Sequence, residues 1–157
     1  MNASTDPADQ STDLDRGASP GQAARLLRAA VPFAGWRRLD LVVRLLSTVE
    51  EYQLTVIMPD GATPAVDPPP ELAPLFRSLR RQAFTPDAGT WYSARLTLDS
   101  RSDGPGFVYT ENFEADPGWT PPAPPEAYLD DLGAVFGAAE PRVPRWLAGI
   151  LGATDDH

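Results

Sequence analysis

Apolar residues recur at two different spacings along this chain, and each spacing predicts one kind of element. Four segments alternate apolar and polar side chains residue by residue, which is the spacing of a β-strand with one buried face. They are residues 36–45, 52–58, 91–98 and 107–113. Short connections join the first segment to the second and the third to the fourth, so we expect two antiparallel hairpins. In the first segment one face carries Leu39, Leu41, Val43 and Leu45. In the third segment the side chains expected to face the core are Tyr92, Ala94, Leu96 and Leu98.

Other segments carry apolar residues three and four apart, which is the spacing of a helix with one buried stripe. The first begins at Ser19-Pro20, where the serine is a typical N-cap and the proline a typical first helical residue, and it ends before Pro32. The second follows the prolines at 68–70 and has one apolar stripe opposite three arginines. The stripe is Leu72, Leu75, Phe76 and Leu79, and the arginines are Arg77, Arg80 and Arg81.

Two more helices are predicted near the end of the chain. The third spans residues 126–136, in which we expect Leu129, Leu132 and Phe136 to face inward and Asp130 and Asp131 to face solvent. A short fourth helix lies within residues 141–151. The order helix, two strands, helix, two strands, helices predicts an α+β fold, in which an antiparallel sheet of about four strands packs against helices.

Composition indicates where the folded domain begins and ends. Residues 1–17 contain four aspartates and, after Met1, only Leu14 as a large apolar side chain, so we expect a disordered acidic tail. We expect residues 18–151 to form a single domain and residues 152–157 a flexible tail. The N-terminus lacks the basic and apolar runs of a signal peptide, and no segment has the ~20 apolar residues of a membrane span. Both observations favour a cytoplasmic protein.

The side chains that most enzymes use are scarce. The chain has no cysteine, and its one histidine is the last residue, His157. All 13 basic residues are arginine, so a Schiff-base lysine is excluded together with a cysteine nucleophile, a thiolate metal site and the lysine of a P-loop. We therefore expect no catalytic residue, no metal and no cofactor.

Acidic residues are concentrated in one part of the chain. Of 22 acidic residues, eight lie between Asp99 and Asp131, against one arginine, so this window contributes -7 of the net charge of -9. A negative surface disfavours direct binding of nucleic acid and favours a basic protein partner. The candidate contact residues are Asp99, Asp103, Glu111, Glu114, Asp116, Trp119, Asp130 and Asp131.

Two features of this window have a second interpretation. Trp119 lies in a Pro/Gly-rich loop, where it is either an interface anchor or a lid that fixes the loop onto the sheet. Glu111, Glu114 and Asp116 are either a solvated acidic loop or, if one carboxyl lies in an apolar pocket, the acid and base of a glycoside hydrolase. A calcium or magnesium site in this loop would lack the regular ligand spacing.

Several short motifs follow one another from Trp91 onward. They are Trp91-x-Ser93, Phe107-x-Tyr109, Asp116-Pro117-x-Trp119, the PPEAYLDDL segment from Pro124 to Leu132, and Pro144-Arg145-Trp146-Leu147. Together with the Trp36 strand and the Leu72 helix before them, this ordered set resembles the YezG-like immunity proteins of bacterial polymorphic toxin systems. The resemblance covers residues 20–151. The chain departs from that pattern at Thr110-Glu111-Asn112, where an aspartate-rich run often follows the tyrosine, and in its acidic tail.

The resemblance implies an antitoxin that binds a cognate toxin domain in the cytoplasm and occludes its active site or substrate path without catalysis. Toxins that act on nucleic acids or nucleotides tend to have a basic cleft, which an acidic cap reaches quickly by electrostatic steering. Two other classes stay open at this point. One is a secretion adaptor or chaperone, and the other is the carboxylate-based hydrolase.

Overall fold

The computed structural model describes residues 18–100, 106–113, 116–119, 122–137 and 143–155. In these residues the elements follow in the order α1 (Pro20–Ala30), β1 (Arg38–Leu45), β2 (Glu50–Ile57), α2 (Leu72–Gln82), β3 (Ser93–Asp99), β4 (Phe107–Asn112), α3 (Pro125–Phe136) and α4 (Arg145–Asp155). The α+β class is confirmed. The predicted tail at residues 1–17 lies outside the described residues. The last helix extends to Asp155, beyond Leu151, where the sequence pattern predicts its end.

The four strands form one antiparallel sheet in the order β2-β1-β3-β4. Each predicted hairpin is present, and β1 joins the two hairpins by pairing with β3. The register places Leu54, Leu41, Leu96 and Tyr109 in one row across the sheet. Because neighbouring residues of a strand point to opposite faces, the next row, Thr55, Asp40, Thr97 and Val108, lies on the other face.

The leucine row belongs to the main hydrophobic core, which lies between the sheet and the helices α1 and α2. The N-cap predicted at Ser19 is present and is part of a capping box, since the Ser19 hydroxyl accepts from the Gln22 amide and the Gln22 side chain accepts from the Ser19 amide. The apolar stripe of α2 contributes Leu72, Leu75, Phe76 and Leu79 to this core, as its spacing predicts.

A second hydrophobic cluster, the end cluster, lies where β1 ends and β3 begins. It consists of Leu46, Tyr92, Trp119, Ala127, Tyr128, Leu132, Phe136 and Leu147. The rings of Tyr92 and Tyr128 each contact Trp146 edge-on, with centroids 5.4 and 5.7 Å apart. The end cluster therefore holds α3 and α4 against the rest of the domain.

The opposite face of the sheet, here called the open face, carries the alternate residues of all four strands. It is polar and charged at its centre, where Arg95 makes a two-pronged ion pair with Asp40, and it exposes Val108 at its β4 edge. No helix of the described residues covers the exposed residues of this face, which are Gln53, Thr55, Arg95, Val108 and Thr110. The open face is thus the side of the sheet on which a partner has room to lie.

Two predictions about helix faces are wrong. Leu129 of α3 is 52% exposed, and Asp131 of the same helix is 1% exposed. The stripe that α3 buries is Tyr128, Leu132 and Phe136, spaced four residues apart, with Asp131 beside it. In α2, Arg80 is buried with the apolar stripe rather than exposed opposite to it.

Candidate functional site

The predicted contact residues are distributed over several parts of the fold. Asp99 is exposed at the end of β3, on the open face, whereas Glu111 of β4 lies on the helix-covered side of the strand. Asp116 is exposed after β4, and Asp130 is exposed on α3. Asp103 and Glu114 lie outside the described residues. The structure therefore separates Asp99 from Glu111 and leaves Asp116, Trp119 and α3 as the group to consider together.

The segment Asp116–Trp119, here called the exit segment, is held at two points. The Asp116 carboxylate accepts a hydrogen bond of 3.0 Å from the Gly118 amide, which closes a tight turn in which Gly118 has a φ of 72°. The Pro117 carbonyl accepts a hydrogen bond from Nε of Arg44, a residue on the open-face side of β1. These contacts fix an exposed carboxylate beside the end of the sheet.

Trp119, the last residue of the exit segment, anchors it by packing into the hydrophobic interior. Its side chain belongs to the end cluster and is 9% exposed. Little of the Trp119 ring is available to a partner in this conformation. Of the two predicted roles, its burial favours the lid over the interface anchor.

The exit segment and α3 interact electrostatically. Burial and, after it, the nearby negative charge of Asp116 raise the pKa of Tyr128 to about 12, and the Trp119 side chain acts in the opposite direction. The Asp116 carboxylate is thus close enough to Tyr128 for its charge to disfavour ionisation of the Tyr128 hydroxyl. Asp130 is exposed two residues after Tyr128, on another side of the same helix, and the two exposed acids Asp116 and Asp130 are here together called the acidic surface.

Asp131 does not belong to that surface, and its prediction as a contact residue is wrong because the side chain is buried. Its carboxylate is paired with the Arg80 guanidinium, with a distance of 2.8 Å between Nη2 and Oδ2. The same carboxylate accepts from the amide and the hydroxyl of Ser47, at 2.8 and 2.9 Å. Arg80 also donates to the Trp91 carbonyl at 2.7 Å. This network ties α3 to α2, to the β1–β2 connection and to the start of β3.

The Arg80–Asp131 pair is the polar feature that sequence reasoning missed. Arg80 is four residues after Phe76, so it continues the buried stripe of α2 for one more turn. A charged residue at such a position needs a buried partner of opposite charge. The signal was therefore present in α2, but nothing in the sequence identified Asp131 rather than Asp130 as the partner.

Glu111 accepts a hydrogen bond from another side chain of the same strand. The Tyr109 hydroxyl donates to the Glu111 carboxylate at 2.7 Å. Burial, the larger cause, and this hydrogen bond, the second, raise the pKa of Tyr109 well above its usual range. Glu111 lines neither the cavity between α2 and α3 nor the groove between α1 and α2. The hydrolase interpretation needs a pocket around Glu111 and Glu114, and no observation on Glu111 supports one.

The described part of the chain has neither a metal-binding cluster nor a membrane-spanning helix. There, no group of three or more histidine, aspartate and glutamate side chains is arranged to hold a metal ion. None of the helices in the same residues is long and apolar enough to cross a membrane.

Comparison with known proteins adds no assignment. No protein-family model matches the chain, and no curated protein is similar enough to count as a match. The function is therefore inferred from the chain's own residues and from the resemblance in its motifs.

Proposed function

We propose that this chain is an immunity protein, an antitoxin that binds a cognate bacterial toxin domain in the cytoplasm and occludes its active site or substrate path. The observation that carries the proposal is the acidic surface, which consists of the exposed Asp116 of the exit segment and the exposed Asp130 of α3. The exit segment itself is anchored by the buried Trp119.

The anchoring of this surface is favourable for binding. Ordering a flexible loop on association costs free energy, and a loop that is already fixed avoids most of that cost. Arg44 and Trp119 hold the exit segment before any partner arrives. The proposed contact is therefore a preformed acidic edge rather than a loop that folds on binding.

The charge of the protein supports the same partner class. A net charge of -9 attracts a toxin with a basic cleft and speeds the encounter. The open face lies next to the exit segment, because Arg44 links Pro117 to β1. Asp99 also lies on the open face, so the open face is a second candidate contact surface.

Co-expression tests the proposal directly. The toxin domain encoded by the adjacent open reading frame is expressed in bacteria with and without this chain, and we expect growth only when the chain is present. The double variant D116R/D130R should lose most of this protection. The matched control is D60R/D87R, since Asp60 and Asp87 are also exposed and Asp60 accepts from the amide two residues on, as Asp116 does.

Absence of protection by the unmodified chain would contradict the proposed function. Equal loss of protection in the two double variants would contradict the assignment of the exit segment and α3 as the contact surface.

A further inference from the structure

A cavity of about 360 Å³ lies between α2, α3 and the β1–β2 connection, and its lining residue Ala134 is one helical turn after Asp130. This volume is at the lower end of the range found for small-molecule sites. One part of its wall carries the arginines of α2 at positions 77, 80 and 81. The other part is apolar and includes Leu46, Phe84 and Val135.

The helix geometry explains why three arginines meet there. Residues spaced three and four apart lie on the same side of a helix, so Arg77, Arg80 and Arg81 project toward one region. A concave site with guanidinium groups on one side is unexpected in a protein with a net charge of -9. Guanidinium groups are the preferred protein partners of carboxylates and phosphates.

Two of these guanidinium groups are held in place and keep hydrogen-bond donors to offer. Arg80 uses three N–H groups for Asp131 and the Trp91 carbonyl, out of five in a guanidinium. Arg77 binds Glu50 through Nε and Nη2, at 2.9 and 2.6 Å, which leaves its Nη1 group without a protein acceptor in the described residues. The cost of ordering these side chains has thus been met in the free protein.

We propose that this cavity binds a carboxylate that carries an apolar group. The carboxylate lies against Arg77 and Arg80, and the apolar group lies against Phe84 and Val135. A monoanion is favoured over a dianion such as phosphate, because Glu50 and Asp131 already offset much of the charge of the two arginines. The apolar wall gives a phosphate ion nothing to contact.

The carboxylate has two possible sources, a free small organic acid or the chain terminus of a peptide. Benzoate and hexanoate are the probes for the first source. A tetrapeptide that ends in leucine with a free carboxylate, compared with its C-terminal amide, is the probe for the second. The chemistry recognised is the same in both, and the titrations show which source the cavity accepts.

Binding is followed by proton–nitrogen NMR on the full chain, with the amides of Ser47 and Val135 and the side-chain Nε–H groups of Arg77 and Arg80 as reporters. We expect saturable shifts at these positions with at least one of the carboxylate probes. Benzamide, the peptide amide and inorganic phosphate should produce much smaller shifts.

Matched variants separate the cavity from general charge effects. R77Q should weaken binding by about tenfold, the loss of one charge-assisted hydrogen bond. R95Q should leave it unchanged, although Arg95 is also a half-exposed arginine in a two-pronged pair with an aspartate. A134F places a ring at the exposed mouth of the cavity and leaves the charge unchanged, and it should abolish binding.

Three results would overturn the assignment. One is the absence of saturable shifts with any carboxylate probe. Another is equal binding of benzoate and benzamide, or of benzoate and phosphate. The third is equal weakening by R77Q and R95Q in variants whose circular dichroism shows a native fold.

Discussion

At the scale of single residues, the pair of Arg80 and Asp131 connects more of the fold than any exposed acid. Both side chains are buried, and between them they bind Ser47 and the Trp91 carbonyl. Such a pair adds little net stability compared with apolar residues of the same volume. Its loss on one side only is costly, because the other charge is left buried without a partner.

The substitution D131N removes the negative charge and keeps the shape of the side chain. We expect it to lower the free energy of unfolding by about 3–5 kcal/mol, because Arg80 stays buried without its counter-charge. The control is D130N on the same helix, where the side chain is exposed and a change within about 0.5 kcal/mol is expected. Urea unfolding measures both. Similar losses in the two variants would show that the buried pair has no special role.

At the scale of elements, the connection from α2 to β3 fits closely against α3. Gly89 has a φ of 73°, in the left-handed region, and a Cβ atom added there would lie 2.9 Å from Cζ of Phe136. Phe136 also packs edge-on against Phe84, with centroids 5.4 Å apart. A glycine is therefore required at position 89 for two independent reasons, its backbone conformation and the neighbouring ring.

Comparison of G89A with G61A separates those reasons. Gly61 has a φ of 88° and nothing within 4 Å of an added Cβ atom, so G61A should cost only the left-handed strain, about 1–2 kcal/mol. G89A should cost about 1–3 kcal/mol more, the penalty of crowding against Phe136. Thermal or urea unfolding gives the difference. Equal destabilisation would mean that Phe136 moves aside freely.

The elements also show how far the sequence predicts the fold. The strand faces and the first helix follow from local rules, because alternation and an N-cap depend only on neighbours along the chain. The face of α3 does not follow, since Leu129 and Tyr128 offer two alternative stripes of similar hydrophobicity. The end cluster decides between them by placing Tyr128 against Trp146, and that contact joins residues far apart in sequence.

The candidate site is predicted less completely, for the same physical reason. Asp99, Asp116 and Asp130 are exposed, as expected for acidic residues in polar parts of the sequence. Trp119 is buried because it joins the end cluster, and Asp131 is buried because it pairs with Arg80 of α2. A linear pattern of charges contains neither contact. The acidic window is therefore partly surface and partly structural.

At the scale of the whole molecule, all four tyrosines of the chain lie in environments that disfavour the phenolate. Burial is the first cause in each case. It raises the pKa of Tyr92 and Tyr128 to about 12, and that of Tyr52 and Tyr109 further above the usual range. The main core and the end cluster are thus both sensitive to alkaline pH.

Alkaline titration should therefore report the integrity of both clusters. Since the folded pKa values are raised, the tyrosines contribute stability that is fully present below pH 10 and is lost as pH rises toward 12. We expect little tyrosinate absorbance from the folded chain near pH 10 and a steep increase when it unfolds. In denaturant, the same four groups should titrate together near pH 10. Normal titration of two or more tyrosines in the folded protein would contradict this arrangement.

We propose that the charges of Asp116 and Asp130 steer a basic partner to the protein. The association rate with the proposed toxin domain measures this steering. The double variant D116N/D130N keeps the size of both side chains and removes their charge. At low salt it should slow association by about three- to tenfold, and the effect should shrink as salt is raised. The control D60N/D87N should associate at nearly the rate of the unmodified chain. An association rate that D116N/D130N leaves unchanged, or that the two double variants lower equally, would contradict the claim.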